Sequence, residues 1–199
     1  MRRALRQGKL GMHLLSQLSQ LRGVAGAALI EFAVVLPLLV VLVVGIFDFG
    51  GAFNLKQELS NAAREGATFG ASQPTNDLLN NGTPPSVDAV RYLVAAYLKA
   101  AGINPCGLDT MSAPGNQSGP MTWSYSTTGS CVSLLTLTIQ RPCVGSNCPS
   151  TLGAYVPYTS VTISYPYQWH FNNVIQLLVP GAHYLLKSIT SNATAANLD

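Results

Sequence analysis

The feature that most constrains this chain is an uninterrupted apolar segment near its N-terminus. Residues 24–47 read VAGAALIEFAVVLPLLVVLVVGIF, and Glu31 is the one ionisable side chain among these 24 residues. At about 1.5 Å of rise per helical residue, the segment spans the roughly 30 Å hydrocarbon core of a bilayer. It is also longer than the apolar region of about 7 to 15 residues found in an ordinary secretory signal. We therefore predict one transmembrane helix here.

The charges that flank this segment predict its orientation. Five basic residues and no acidic residue precede it: Arg2, Arg3, Arg6, Lys9 and Arg22. Asp48 follows it directly. The positive-inside bias therefore predicts a single pass, with the N-terminus in the cytoplasm and everything after about residue 50 across the membrane. These bases form no stripe with interleaved aromatic residues, so we expect no nucleic-acid partner.

A different fate for the same segment stays open. Gly50, Gly51 and Ala52 form a run of small residues, which is compatible with cleavage by a signal peptidase after Ala52. In that case the chain is an exported protein, and the apolar segment serves only as its signal.

Glu31 is the unusual residue of the apolar segment. On insertion scales, a charge at the bilayer centre costs about 2.5 to 3.5 kcal/mol. One interpretation is that Glu31 reaches the cytoplasmic interface or stays protonated, and then it has no function. The other starts from its neighbours, since a cut after Gly26 would make Ala27 the new N-terminus and Glu31 its fifth residue.

This order of residues is similar to the processing site of type IV prepilins and pseudopilins. The site reads Gly26, four small or apolar residues, Glu31 and then the aromatic Phe32. A longer stretch resembles the TadE-like family of tight-adherence pilus assembly proteins, and its matching parts are Arg22-Gly23, residues 30–39, residues 45–50 and residues 61–67. A weaker resemblance near the C-terminus covers residues 161–167, 179–181 and 189–195.

The resemblance implies a minor pilin or pseudopilin of a tight-adherence (Tad/Flp) type IV pilus, with a structural role in pilus assembly, adhesion or secretion. Its implied partners are the inner membrane, other pilins and pseudopilins, the pilus assembly machinery and a prepilin peptidase. The peptidase would cut between Gly26 and Ala27, and the protein could then enter the extracellular pilus. Glu31, next to Phe32, would pair with the α-amino group of Ala27 in an adjacent subunit and set the register of the subunits. In the alternative form, the protein acts uncut as a membrane anchor.

Pro37 lies inside the apolar segment. Proline removes one backbone donor and clashes with the preceding turn, so we expect a kink or a local break of the helix there. The alternative is a proline that the membrane helix tolerates without any role.

Hydrophobic periodicity predicts the elements that follow. The first helix should continue to about Phe69, and residues 72–85 should form a loop. Ser86 should cap a second helix that Gly102 ends. Strand-like patterns cover residues 121–127, 132–140, 155–165 and 186–196, whereas residues 173–179 are ambiguous.

These elements predict an α+β, pilin-like fold. A long N-terminal transmembrane helix extends into a stalk and is followed by a head of one small helix and an antiparallel sheet. The expected domains are a basic cytoplasmic leader at residues 1–26, which cleavage would remove, a transmembrane helix and its extension at 27–71, and an extracytoplasmic head at 72–199.

The chain has four cysteines, and all of them lie in the predicted extracytoplasmic part: Cys106, Cys131, Cys143 and Cys148. An even number of cysteines in an oxidising compartment indicates disulfides. Of the three possible pairings, we favour Cys106 with Cys131 and Cys143 with Cys148. Metal binding needs CxxC or Cys/His spacings, which the sequence does not contain, so we expect no metal site.

The sequence offers no recognisable catalytic motif. It lacks HExxH, GxSxG, the P-loop and the calcium-loop pattern, and its histidines are only His13, His170 and His183. We therefore expect no enzyme, no cofactor and no small-molecule substrate. The alternative function is a periplasmic binding domain that is anchored in the membrane or exported by a signal peptide.

Overall fold

The computed structural model describes residues 4–78, 82–111, 115–119, 121–131, 133–142, 156–169, 181 and 188–197, with side chains from residue 26 onward. The chain divides into two compact units. One consists of Met1–Phe47 and His170–Ala182, and the other of Asp48–Trp169 and His183–Asp199. The described residues form two helices and one five-stranded antiparallel sheet, which confirms the α+β class. The predicted domain bounds concern cleavage and membrane crossing, and they stay predictions.

The first helix, α1, covers Ala4–Ala71 and so contributes residues to both units. Its helical backbone starts within the basic leader and ends two residues after Phe69, close to the predicted end. The helix continues through Pro37, so the predicted local break is wrong, whereas the predicted kink at this residue stays a prediction. A proline withholds a single N–H, and the turns on either side keep their own hydrogen bonds, so one proline need not interrupt a long helix.

The second helix, α2, covers Pro85–Ala100. Ser86 was predicted to cap this helix, and that prediction is wrong, because Pro84 occupies the N-cap position. The carboxylate of Asp77 satisfies the free N-terminal donors instead, since it accepts from the Ser86 backbone N–H at 2.7 Å and from the Ser86 hydroxyl at 2.9 Å. Gly102 ends the helix as predicted. Its φ of +74° allows the N–H of Ile103 to reach the carbonyl of Leu98 at 2.8 Å.

The sheet is a meander in which each strand pairs with the next along the chain. Its strands are β1 (Asn116–Gly119), β2 (Thr122–Thr127), β3 (Leu135–Gln140), β4 (Tyr158–Pro166) and β5 (Ser188–Ala196). The last four confirm the predicted strands, although each begins one to three residues later than predicted. The short polar β1 was not predicted. The ambiguous residues 173–179 lie outside the described part of the chain.

The core of the second unit lies between the helices and one face of the sheet. The end of α1 contributes small residues, while α2 and the sheet contribute larger ones. Fully buried members are Leu59, Ala62, Ala63, Val90, Val94, Leu98, Trp123, Tyr125, Leu137, Ile139, Val161 and Ile163. Two glycines of α1 permit its close approach, because a Cβ on Gly66 would lie 2.8 Å from Val94 Cγ2 and a Cβ on Gly70 would lie 2.8 Å from Thr159 Cγ2.

Candidate functional site

The surface of α1 in the first unit is apolar on every side. The helix from Gly26 onward is long and apolar enough to cross a membrane. Large apolar side chains are exposed at nearly consecutive positions and so cover all directions around the axis: Leu29, Ile30, Phe32, Val34, Val35, Leu36, Leu38, Leu39, Val40, Leu42, Val43, Ile46 and Phe47. A helix that is hydrophobic all round needs a surrounding of lipid or of other helices. This surface is our candidate functional site.

The predicted processing site lies at the N-terminal end of this surface. A Cβ on Gly26 would meet no atom within 4 Å, and the side chain of Ala27 is exposed. The backbone at this junction is helical. The side chain at the predicted new N-terminus is therefore open to its surroundings.

Glu31 is exposed among these apolar side chains, and Phe32 next to it is 59% exposed. Ala27 and Glu31 are four residues apart in one helix, so they share a face and are separated by about 6 Å along the axis. Phe32 points about 100° away around the axis. The arrangement presents one carboxylate on the side of an apolar helix, with the candidate N-terminus one turn before it.

A second group of interest begins where the apolar segment ends. The single hydroxyl proton of Tyr167 is shared between two acceptors, the Asp48 backbone carbonyl at 3.0 Å and the Asp48 carboxylate at 3.2 Å. Burial raises the pKa of Tyr167, and the neighbouring Asp48 charge raises it further. Trp169 packs edge-on against both Tyr167 and Phe49. Sequence analysis missed this cluster, because Asp48 and Tyr167 are 119 residues apart.

The head also contains a partly buried ion pair that was not predicted from the sequence. Arg91 is 1% exposed, and its guanidinium donates to both carboxylate oxygens of Asp88, at 2.7 and 3.1 Å. The Tyr125 hydroxyl donates to the same carboxylate at 3.2 Å. Burial lowers the pKa of Arg91, but Asp88 and Tyr92 outweigh burial and leave it raised. The i, i+3 spacing of the two charged residues in α2 was a readable signal.

This network joins α2 to the loop that follows it and to the sheet. The guanidinium of Arg91 also donates to the Leu108 carbonyl and lies over the ring of Tyr92, with 3.9 Å from Cζ to the ring centroid. Burial, followed by the charge of Asp88, raises the pKa of Tyr125 well above its ordinary value, so its hydroxyl stays protonated at neutral pH. The polar groups of Arg91 and Tyr125 thus have their hydrogen-bond partners within the network.

Cys106 and Cys131 form a disulfide, which confirms the favoured pairing for these two residues. Cys143 and Cys148 lie outside the described residues, and their bond stays a prediction. Within the described ranges, no three His, Cys, Asp or Glu residues come together as they would to hold a metal ion.

Comparison with known proteins identifies one family. Residues 26–68 match the model of the family described as TadE-like protein. The matched segment contains the candidate processing site, Glu31, the whole exposed apolar surface and most of the packed part of α1. It confirms, over these residues, the resemblance inferred from the sequence. No curated protein and no solved structure matches the chain.

Proposed function

Because residues 26–68 are TadE-like, we propose that this protein is a minor pilin or pseudopilin of a tight-adherence type IV pilus. Its role is structural and not catalytic. The α1 helix crosses the inner membrane once, with the basic leader in the cytoplasm and the disulfide-bonded head in the periplasm. In the assembled state, the same helix packs among the helices of other pilin subunits.

The observation that carries this proposal is the exposed apolar surface of α1 with its single carboxylate. Side chains such as Leu29, Val34 and Leu38 are about 70% exposed, and they need a nonpolar surrounding. A membrane anchor alone gains nothing from Glu31, because a charged side chain within an apolar membrane segment costs free energy. A residue with that cost fits a helix that also makes a specific polar contact.

Cleavage between Gly26 and Ala27 would supply the partner for that contact. The new α-amino group of Ala27 is a cation, and pairing it with Glu31 of an adjacent subunit neutralises both charges in the nonpolar interior. Since Ala27 and Glu31 lie on one helix face, the pair would shift neighbouring helices by about one turn, or roughly 6 Å. The contact thereby sets the register between subunits.

The packing of Ala52 favours this proposal over the exported binding domain. Ala52 is 8% exposed and lies within the uninterrupted α1, so a signal peptidase would have to unfold a packed part of the helix to cut there. Gly26, in contrast, is open to its surroundings.

The N-terminal residue of the protein recovered from piliated cells tests the processing step. We expect intact-mass and peptide mass spectrometry to find Ala27 as the first residue, and Met1 in cells that lack the prepilin peptidase. A first residue of Phe53 would refute the pilin proposal and identify an exported protein. An N-terminus at Met1 in cells with an active peptidase would replace the pilin with an uncut, membrane-anchored assembly factor.

The substitution Glu31→Gln tests the role of the carboxylate. It keeps the size of the side chain and removes its charge, so the α-amino group of a neighbouring Ala27 loses its partner. Since 1.4 kcal/mol corresponds to a tenfold change, we expect at least about a tenfold loss of assembled surface pili. Glu65→Gln is the matched control, because Glu65 is an exposed carboxylate on the same helix beyond the apolar segment. Equal piliation of the two variants would contradict the proposed pairing.

A further inference from the structure

We propose that Phe49, Tyr167 and Trp169 form an interfacial anchor that lies among the lipid headgroups of the periplasmic leaflet. The partner is a phospholipid surface, and the anchor sets the depth of α1 in the bilayer. The proposal rests on the proposed function in one respect, namely that α1 crosses the membrane. We use the name interfacial anchor for these three aromatic residues.

The first argument is the geometry of the interfacial anchor. The ring centroids of Trp169 and Phe49 are 5.5 Å apart and those of Trp169 and Tyr167 are 4.9 Å apart, with interplanar angles of 65° and 79°. These are the edge-on contacts that aromatic pairs favour. Tyr167 is also held through its hydrogen bonds to the backbone and side chain of Asp48. The three rings thus form one cluster fixed to a single turn of α1.

The second argument is the position of the cluster along the chain. Phe49 follows the last residue of the apolar segment 24–47 by two positions. Tryptophan and tyrosine are enriched at membrane–water interfaces, because each has an apolar ring and one polar group. An aromatic cluster with a buried acidic partner, Asp48, at the end of a membrane-spanning segment has the composition expected at headgroup level.

The third argument is the exposure of apolar rings beside the cluster. Phe49 is 58% exposed and Phe53, one turn later on the same face of α1, is 66% exposed. The next turns of this face have a different character, because its exposed side chains there are the polar Lys56 and Arg64. The exposed aromatic face is therefore confined to the first turns after the apolar segment, which is the stretch that would meet headgroups.

The anchor has a consequence for the assembly residues. Glu31 precedes Phe49 by 18 positions and Ala27 precedes it by 22, which correspond to about 27 and 33 Å along the helix. With Phe49 at the periplasmic surface of a roughly 30 Å core, Glu31 lies just inside the cytoplasmic boundary and Ala27 lies just beyond it. The anchor thus holds the candidate cleavage junction at the surface where a cytoplasmic leader would be removed.

Tryptophan fluorescence tests this placement, because the chain has only two tryptophans and their surroundings differ. Trp123 is 1% exposed in the core of the head, whereas Trp169 belongs to the interfacial anchor. The full-length protein is reconstituted into phosphatidylcholine vesicles whose acyl chains carry bromine either near the headgroups or near the bilayer centre. The emission of Trp169 is the difference between the emission of the unmodified protein and that of W169F. This comparison changes no residue of the core.

We expect bromine near the headgroups to quench the Trp169 signal at least about twofold more than bromine near the bilayer centre. The remaining emission of W169F comes from Trp123 and should be insensitive to both lipids. A Trp169 signal that neither lipid quenches would overturn the proposal, as would stronger quenching from the bilayer centre.

A reporter within the apolar segment separates this inference from the proposed function. Leu39→Trp in the W169F background places a tryptophan in the middle of the exposed apolar surface. Strong quenching of this reporter by deep bromine, together with no quenching of Trp169, would refute the interfacial anchor and leave the membrane helix standing. An unquenched reporter at position 39 would refute the membrane-spanning helix itself, and the interfacial anchor with it.

Discussion

Removal of the disulfide between Cys106 and Cys131 should destabilise the head strongly. The bond joins residues separated by 25 positions, and it connects the turn after α2 to the middle of the β2–β3 connection. In the chain-entropy model, a closed loop of this length lowers the entropy of the unfolded chain by about 12 cal/mol/K, which is about 3.5 kcal/mol at 25 °C. We expect Cys106→Ala with Cys131→Ala to reduce the free energy of unfolding by this amount.

The folded head has other bonds at the same place, so the loss should arise mainly from the unfolded state. The Thr127 hydroxyl donates to the Cys106 carbonyl at 2.9 Å, and the Asn104 amide donates to the Ser130 hydroxyl at 2.9 Å. These hydrogen bonds keep the segment around Cys106 next to the segment around Cys131 after both cysteines are replaced. The double variant should therefore fold to the same structure with a lower free energy of unfolding.

Urea unfolding of the full-length protein in detergent micelles measures the effect. The emission of the buried Trp123 reports on the head when the W169F background is used. The unfolded double variant is less compact, so the slope of the free energy against urea should also increase. Thr127→Val is the matched control: it removes one hydrogen bond, costs about 0.5 to 1.5 kcal/mol and leaves the slope unchanged. A loss below about 1 kcal/mol in the double variant, with an unchanged slope, would refute the entropic argument.

Two further predictions concern the core of the head. Gly66→Val should lower the free energy of unfolding by about 1 to 3 kcal/mol, because a Cβ there would lie 2.8 Å from Val94 Cγ2. The control is Gly50→Val, because a Cβ on Gly50 meets no atom within 4 Å. This control should change the urea midpoint little. Burial, and then the Asp88 carboxylate, raise the pKa of Tyr125 above its ordinary 10.0, so the folded state holds this proton more tightly than the unfolded state. Stability should therefore be constant with respect to this group below about pH 10 and fall as the pH rises further, and Tyr125→Phe should reduce this slope in urea titrations at successive pH values.

The long helix and most of the strands could be predicted because their signals are local. The apolar run around Glu31 predicts a helix long enough to span a membrane, and the alternation in Val161, Thr162 and Ile163 predicts a strand with one buried face. Gly102 ends α2 as expected, since a left-handed residue is a local requirement at a helix C-terminus.

The errors have physical causes that the local sequence does not contain. Ser86 has the chemistry of a helix cap, but Asp77 from the preceding loop takes that role and Ser86 lies inside the helix. Pro37 has the chemistry of a helix breaker, yet the surrounding turns keep the helix intact. The short strand β1 has a polar sequence without alternation, and only its pairing with β2 makes it a strand.

The amino-acid sequence by itself determined the long apolar helix and the position of one carboxylate within it, and it predicts the orientation from the flanking charges. Each of these follows from composition within a few helical turns and from the thickness of a bilayer. Only the tertiary structure decided that Tyr167 bonds to Asp48, that Arg91 is buried against Tyr125, and which cysteine Cys106 selects as its partner. Each of these contacts joins residues far apart in the chain, and the packing of the helices on the sheet brings them together.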